Sequence, residues 1–253
     1  MSKVLLTSTI QPELIQRFAV STSRSIEIWT TTCIVSNFAN KATVLINPSN
    51  TQLSGVRNFP YFPRGGPVPH EMPKSMHKDW QPLGFVSQWG GMEVGSGMLY
   101  PVSVVDGLVH QFGGWRLQSE CRLKAIMAIN SEACPVGDAV VTSAGSGKLR
   151  ESYQKIVHTT PPFFKYHENP RGALRSCYTK ALQRAFEEGE RVATPLLGAG
   201  ARGFPIDEAV SVAATAAGEW CEESDGCQQV LMFGLLEVEH AKKLMYMLEK
   251  SRR

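Results

Sequence analysis

The chain has 253 residues, 43% hydrophobic and 19% charged, enough to bury the core of one large domain or two small ones. Its 26 basic and 23 acidic residues leave a net charge of +3, too even to argue for a nucleic-acid surface. The six cysteines (Cys33, Cys121, Cys134, Cys177, Cys221, Cys227) make no Cys-x-x-Cys pair and no zinc spacing. They argue against a secreted disulfide framework and for reduced thiols packed as small apolar groups.

The Ser/Thr-rich start carries Lys3, Arg17 and Arg24 against Glu13. It resembles an organellar transit peptide, and it reads equally as a polar first helix over Pro12 to Val20. Ile26 to Thr30 alternates as a strand does. Thr43 to Ile46 reads as a buried strand ending at Asn47-Pro48-Ser49-Asn50. From about Gln52 to Tyr100 prolines and glycines forbid long regular elements, while Trp80, Trp89 and other aromatics argue against disorder. This predicts an ordered, irregular insertion at 52–100, folded onto the ligand face of a single domain spanning 1–253. A helix is expected from about Val105, a second helical stretch over Leu117 to Ile129, and strands at Ala139 to Thr142 and Lys155 to His158. An amphipathic helix over Leu174 to Glu188 stops at Gly189. Val192 to Leu197 is a strand, Asp207 to Trp220 a helix, Val230 to Leu236 a strand and Glu239 to Lys250 a helix. Val230 to Leu236 is among the longest apolar runs and is strand-sized, so no membrane partner is expected. The alternation argues an α/β fold: a mostly parallel sheet covered on both faces.

Three places carry chemistry. Gly198-Ala199-Gly200-Ala201-Arg202-Gly203 lies between a strand and a helix, where glycines let backbone N–H groups approach an anion and the helix start favours negative charge. The run also matches Gly-x-Gly-x-x-Gly. Pro205 belongs in the first turn of the next helix, however, so Gly203 lies outside it and a nicotinamide reading is disfavoured. Asn47-Pro48-Ser49-Asn50 lies at a strand's carboxyl end, where open α/β sheets bind ligands; an Asx-turn is the plainer use of the same residues. Val105-Asp106-Gly107-Leu108-Val109-His110 puts Asp106 and His110 one helical turn apart, although Asp106 could equally cap the helix.

Taken together these resemble the macrodomains, which bind ADP-ribose, and most of all the MacroD-type ADP-ribosyl hydrolases. Leu45-Ile46-Asn47-Pro48-Ser49-Asn50 is similar to the family's strand ending in Asn-Ala-Ala-Asn. Val105 to His110 is similar to its Val-Asp-Gly-x-x-His. Gly137 to Thr142, Ile156 to Pro162, Leu174 to Tyr178 and Ala193 to Pro205 follow in the family's order. The resemblance implies a three-layer α/β/α macrodomain-like fold that binds ADP-ribose or an ADP-ribosylated protein. It admits hydrolysis of an ADP-ribosyl bond, and needs no cofactor and no metal. Asp106, His110 and Asn50 would be the catalytic group. Asn47, Asn50, Gly198, Ala199, Gly200, Ala201, Arg202, Gly203, Phe204, Phe233 and Leu235 would line the ligand, and His158 would be structural.

The chain also departs from the pattern. Thr30-Thr31-Thr32-Cys33-Ile34 lacks the acid that meets adenine. Pro101-Val102-Ser103-Val104 replaces a glycine run, and Arg202 stands where the phosphate loop has an aromatic. A non-catalytic module, using the insertion to hold a protein or RNA partner, therefore stays open beside the enzyme. Either reading places the protein in the cytoplasm, with an organelle as the alternative.

Overall fold

The computed structural model describes residues 11–19, 23–36, 38, 41–55, 105–128, 132–200, 202–222 and 227–251. Its strands are β1 (Glu13–Ala19), β2 (Arg24–Thr30), β3 (Val44–Pro48), β4 (Ala139–Ser143), β5 (Lys155–Thr159), β6 (Arg191–Thr194) and β7 (Gln229–Leu235). They form one sheet in the order β1-β2-β7-β6-β3-β5-β4. The four inner pairings are parallel and both edge strands, β1 and β4, are antiparallel. The helices are α1 (Val105–Met127), α2 (Leu149–Ser152), α3 (Pro170–Glu188), α4 (Ile206–Glu222) and α5 (Val238–Ser251). Among the described residues no helix is long and apolar enough to cross a membrane.

Alternation along the strands divides the core in two. On β3, Val44 and Ile46 join a cluster with α3, α4 and α5, whereas Leu45 joins the cluster with α1 and α2. Ile156 and Val157 on β5 divide the same way. The result is the expected three layers, with helices on both faces of a mixed sheet.

The predicted polar helix over Pro12 to Val20 is instead strand β1. Of its side chains only Phe18 is buried, so the segment has no apolar stripe to lay on a core as a helix. It pairs along β2, and Arg17 forms an ion pair with the buried Glu27 at 2.5 Å. β6 ends at Thr194 rather than at Leu197, because Pro195 has no N–H to offer a ladder. The two predicted stretches from Val105 and Leu117 are one helix broken at Gly114, whose φ of 68° only glycine adopts easily. α3 begins at Pro170, earlier than expected. Asn169 caps it by accepting from the Gly172 N–H at 3.0 Å, and Pro170 sits in the first turn. Residues 56–104, nearly all of the predicted insertion, lie outside the described residues.

Candidate functional site

β3 and β6 are sheet neighbours, but the next described helix after β3 is α1 on one face and the next described helix after β6 is α4 on the other. Connections that part in this way open a crevice at the carboxyl ends of the two strands. Its walls are the 48–55 loop and the 195–205 loop, and both contain residues expected from the sequence.

The 195–205 loop is shaped by its own hydrogen bonds. The Gly203 N–H donates to the Gly200 carbonyl at 2.9 Å and the Phe204 N–H to the Gly198 carbonyl at 3.2 Å. Gly198 and Gly203 have φ of 83° and 74°, a region in which glycine is strongly favoured. A side chain on Gly198 would also press the Phe204 ring at 2.9 Å. Upstream, the Leu197 N–H donates to the buried Tyr178 hydroxyl at 2.8 Å, tying the loop to α3. The N–H groups of Gly198, Ala199, Gly200 and Arg202 make no hydrogen bond to any described residue. Such a run of amides beside a helix start is able to take an anion. Ala201 lies outside the described residues.

Arg202 bridges the walls. Its Nη2 donates to the Ser49 carbonyl at 2.7 Å, and its guanidinium lies 4.5 Å from the centre of the Phe163 ring. Burial pulls the guanidinium below its ordinary pKa, and the nearby Asp106 carboxylate opposes that shift.

The floor is a buried polar network under α1. Asn47 follows the alternation of β3 onto the α1 face. Its Nδ2 donates to Asp106 Oδ1 at 2.8 Å and also meets His158 Nδ1 at 3.1 Å. His110 Nε2 stands 3.6 Å from the same Asp106 oxygen. Asp106 thus reaches into the sheet and, among the described residues, caps no N–H of its own helix. No described donor engages its Oδ2.

His158 has both ring nitrogens committed. Since Asn47 donates to Nδ1, the hydrogen-bond pattern assigns the proton to Nε2, which meets Thr142 Oγ1 at 2.8 Å; that hydroxyl in turn donates to the Ser143 carbonyl. Cys121, His110 and His158 also converge, with ligand atoms within 4.8 Å of one another. In this tautomer His158 has no free lone pair to give an ion.

Burial, then the neighbouring His110 and Lys124, pull the His158 pKa down to about 3. In the unfolded chain it would sit near 6.5, so between these values the unfolded state binds the extra proton. The stability due to neutral His158 is therefore complete above about pH 6.5 and is lost as pH falls toward 3, at about 1.4 kcal/mol per pH unit. Denaturant titrations at pH 7 and pH 5 should show this slope in the wild type and a flatter one in His158→Gln; equal slopes would contradict the assignment.

The remaining expected residues shape the walls or lie in the core behind them. Asn50 spends both polar atoms on its own turn: Oδ1 accepts from the Ser54 N–H at 3.1 Å and Nδ2 donates to the Gly55 carbonyl at 2.8 Å. Phe233 is fully buried against Tyr178, and Leu235 and Phe204 are also core residues. Sequence reasoning missed Thr142, Ser49 and Phe163. Period-two alternation along β3, β4 and β5 puts Thr142 on the same face as Asn47 and His158 and was the signal for it; Ser49 and Phe163 lie outside the strands and had none. A cavity of about 480 Å³ between α3 and α4, lined by Arg24, Phe186 and Trp220, contains none of the expected residues.

A family model described as Macro domain matches residues 97–213. A macro domain-containing protein of Listeria monocytogenes serotype 4b is 38% identical over 141 residues, covering 54% of this chain and 76% of that protein. One of Streptomyces coelicolor is 36% identical over 110 residues, covering 43% of this chain and 62% of that one. Among solved structures, the Oceanobacillus iheyensis macrodomain with ADP superposes with a TM-score of 0.66 at 17% identity, over 96% of this chain and 98% of that one. A mutant of the same macrodomain with ADPR gives 0.64 at 18% identity, over 94% and 98%. The structural likenesses carry the fold, the Listeria relative carries the family, and the chain belongs to the macro domain family.

Proposed function

We propose that this protein binds ADP-ribose or a related ADP-ribosyl ligand in the crevice between β3 and β6. The observation that carries the reading is the cradle of N–H groups at Gly198, Ala199, Gly200 and Arg202, which make no bond to any described residue at the start of α4. These amides hold the diphosphate, as preorganised backbone dipoles do for anions. That the Oceanobacillus macrodomain has been solved with ADP and, as a mutant, with ADPR supports the ligand class. Asn50 shapes the wall through its turn, and its Nδ2 keeps a second hydrogen for a sugar hydroxyl. Phe204 packs behind the loop, while Phe233 and Leu235 support the adenine end from the core.

The same geometry supports hydrolysis of an ADP-ribosyl bond. Asn47 and His110 gather at one oxygen of Asp106, and the other is left to take a proton from water attacking the anomeric carbon. The water's oxygen bonds to that carbon, and the bond to the acceptor breaks with its electron pair. The binding claim is tested by thermal shift: millimolar ADP-ribose should raise the melting temperature, and adenosine should do so less. No shift with ADP-ribose removes the reading.

A further inference from the structure

The floor of the crevice contains a carboxylate, Asp106, which accepts from the Asn47 amide at 2.8 Å and stands 3.6 Å from the His110 ring. The walls also carry a cation, Arg202, which joins one to the other. Its guanidinium carbon lies 4.5 Å over the centre of the Phe163 ring, and its N–H groups remain able to make hydrogen bonds. One arm of that fork is spent on a neutral acceptor, the Ser49 carbonyl. A phosphate oxygen is a better acceptor for a guanidinium than a neutral carbonyl, because the bond becomes charge-assisted and can be bidentate. Space is open beside Arg202: among the described residues nothing lies within 4 Å of where a side chain would start at Gly200 or at Gly203.

We infer that Arg202 is a specificity-determining residue that gives the crevice a second anion subsite beyond the backbone cradle, favouring a ligand that ends there in a phosphate, such as a nucleoside diphosphate. The inference rests on the proposed binding of ADP-type ligands and sharpens its chemical class. A terminal phosphate carries close to two negative charges at neutral pH, whereas each phosphate inside the diphosphate of ADP-ribose carries about one. The cradle amides serve both ligands, so it is the arginine that tells them apart.

The test is calorimetry with ADP and with ADP-ribose on the wild type, Arg202→Gln and Arg202→Lys, with melting temperatures alongside. The ratio of the ADP to the ADP-ribose dissociation constant should rise about tenfold in Arg202→Gln, the loss of roughly one charge-assisted bond. Arg202→Lys should restore part of it, and wild-type ADP affinity should fall more steeply with salt than that of Arg202→Gln. An unchanged ratio in folded Arg202→Gln, with both ligands still bound, overturns this inference and leaves the proposed function standing. If neither ligand binds the wild type, both fail together.

Discussion

Gly200→Glu should lower ADP-ribose affinity by about a hundredfold or more while leaving the melting temperature close to wild type. Gly200 does not have a positive φ, and a Cβ built there meets no described atom within 4 Å. The protein itself therefore has no steric reason to unfold. The side chain would start beside the amides proposed to hold the diphosphate and would set a carboxylate against phosphate charge. At an effective dielectric near 20, two such charges about 5 Å apart repel by roughly 3 kcal/mol, enough for a hundredfold loss. Gly200→Ala, with no charge and open space around its methyl, should lose far less. Wild-type affinity in Gly200→Glu would mean that the ligand does not lie on this loop. The contrast with Gly198 is instructive: a side chain there meets Phe204 and Leu174 and imposes strain at φ 83°, so loss of binding in Gly198→Ala could not be separated from loss of fold.

Asp106→Asn should lower the release of ADP-ribose from a mono-ADP-ribosylated protein by roughly two orders of magnitude or more, with binding and melting temperature little changed. Asn keeps the side-chain carbonyl oxygen that can accept from Asn47, so the buried network survives. It lacks the second carboxylate oxygen and cannot act as a base. The assay is label release from Glu-, Arg- and Ser-linked substrates, with a melting curve for each variant. Full activity in Asp106→Asn would assign the chemistry to another residue. Wild type that releases nothing above background on all three linkages would leave a binding module.

Most of the architecture could be read from the sequence. Alternation at Ile26–Thr30, the apolar run at Val230–Leu236 and the Gly189 stop each encode a local rule that tertiary packing does not override. β1 could not be read this way. Leu14 is exposed and Phe18 is its one buried side chain, so the strand is specified by the edge it pairs with and not by its own pattern. At the site, the glycine run and the spacing of Asp106 and His110 were legible because a tight strand-to-helix turn and helix periodicity impose short-range constraints. The pairing of Asp106 with Asn47 was not: they are 59 residues apart in sequence and meet only once β3 lies under α1. The same holds for Arg202 on Ser49, 153 residues away. Asn50, expected at the ligand, lies in the wall loop and closes a turn there through Ser54, a contact that only the folded loop reveals.

The most direct test of the central claim is to follow backbone amide resonances of the wild-type protein as ADP-ribose is added. The largest shifts should fall on Gly198, Ala199, Gly200 and Arg202, with smaller ones at Ser49 and Asn50, and they should saturate together as a single site fills. Shifts that cluster instead around Phe186 and Trp220 in the cavity between α3 and α4, or no shifts at millimolar ligand, would contradict the account.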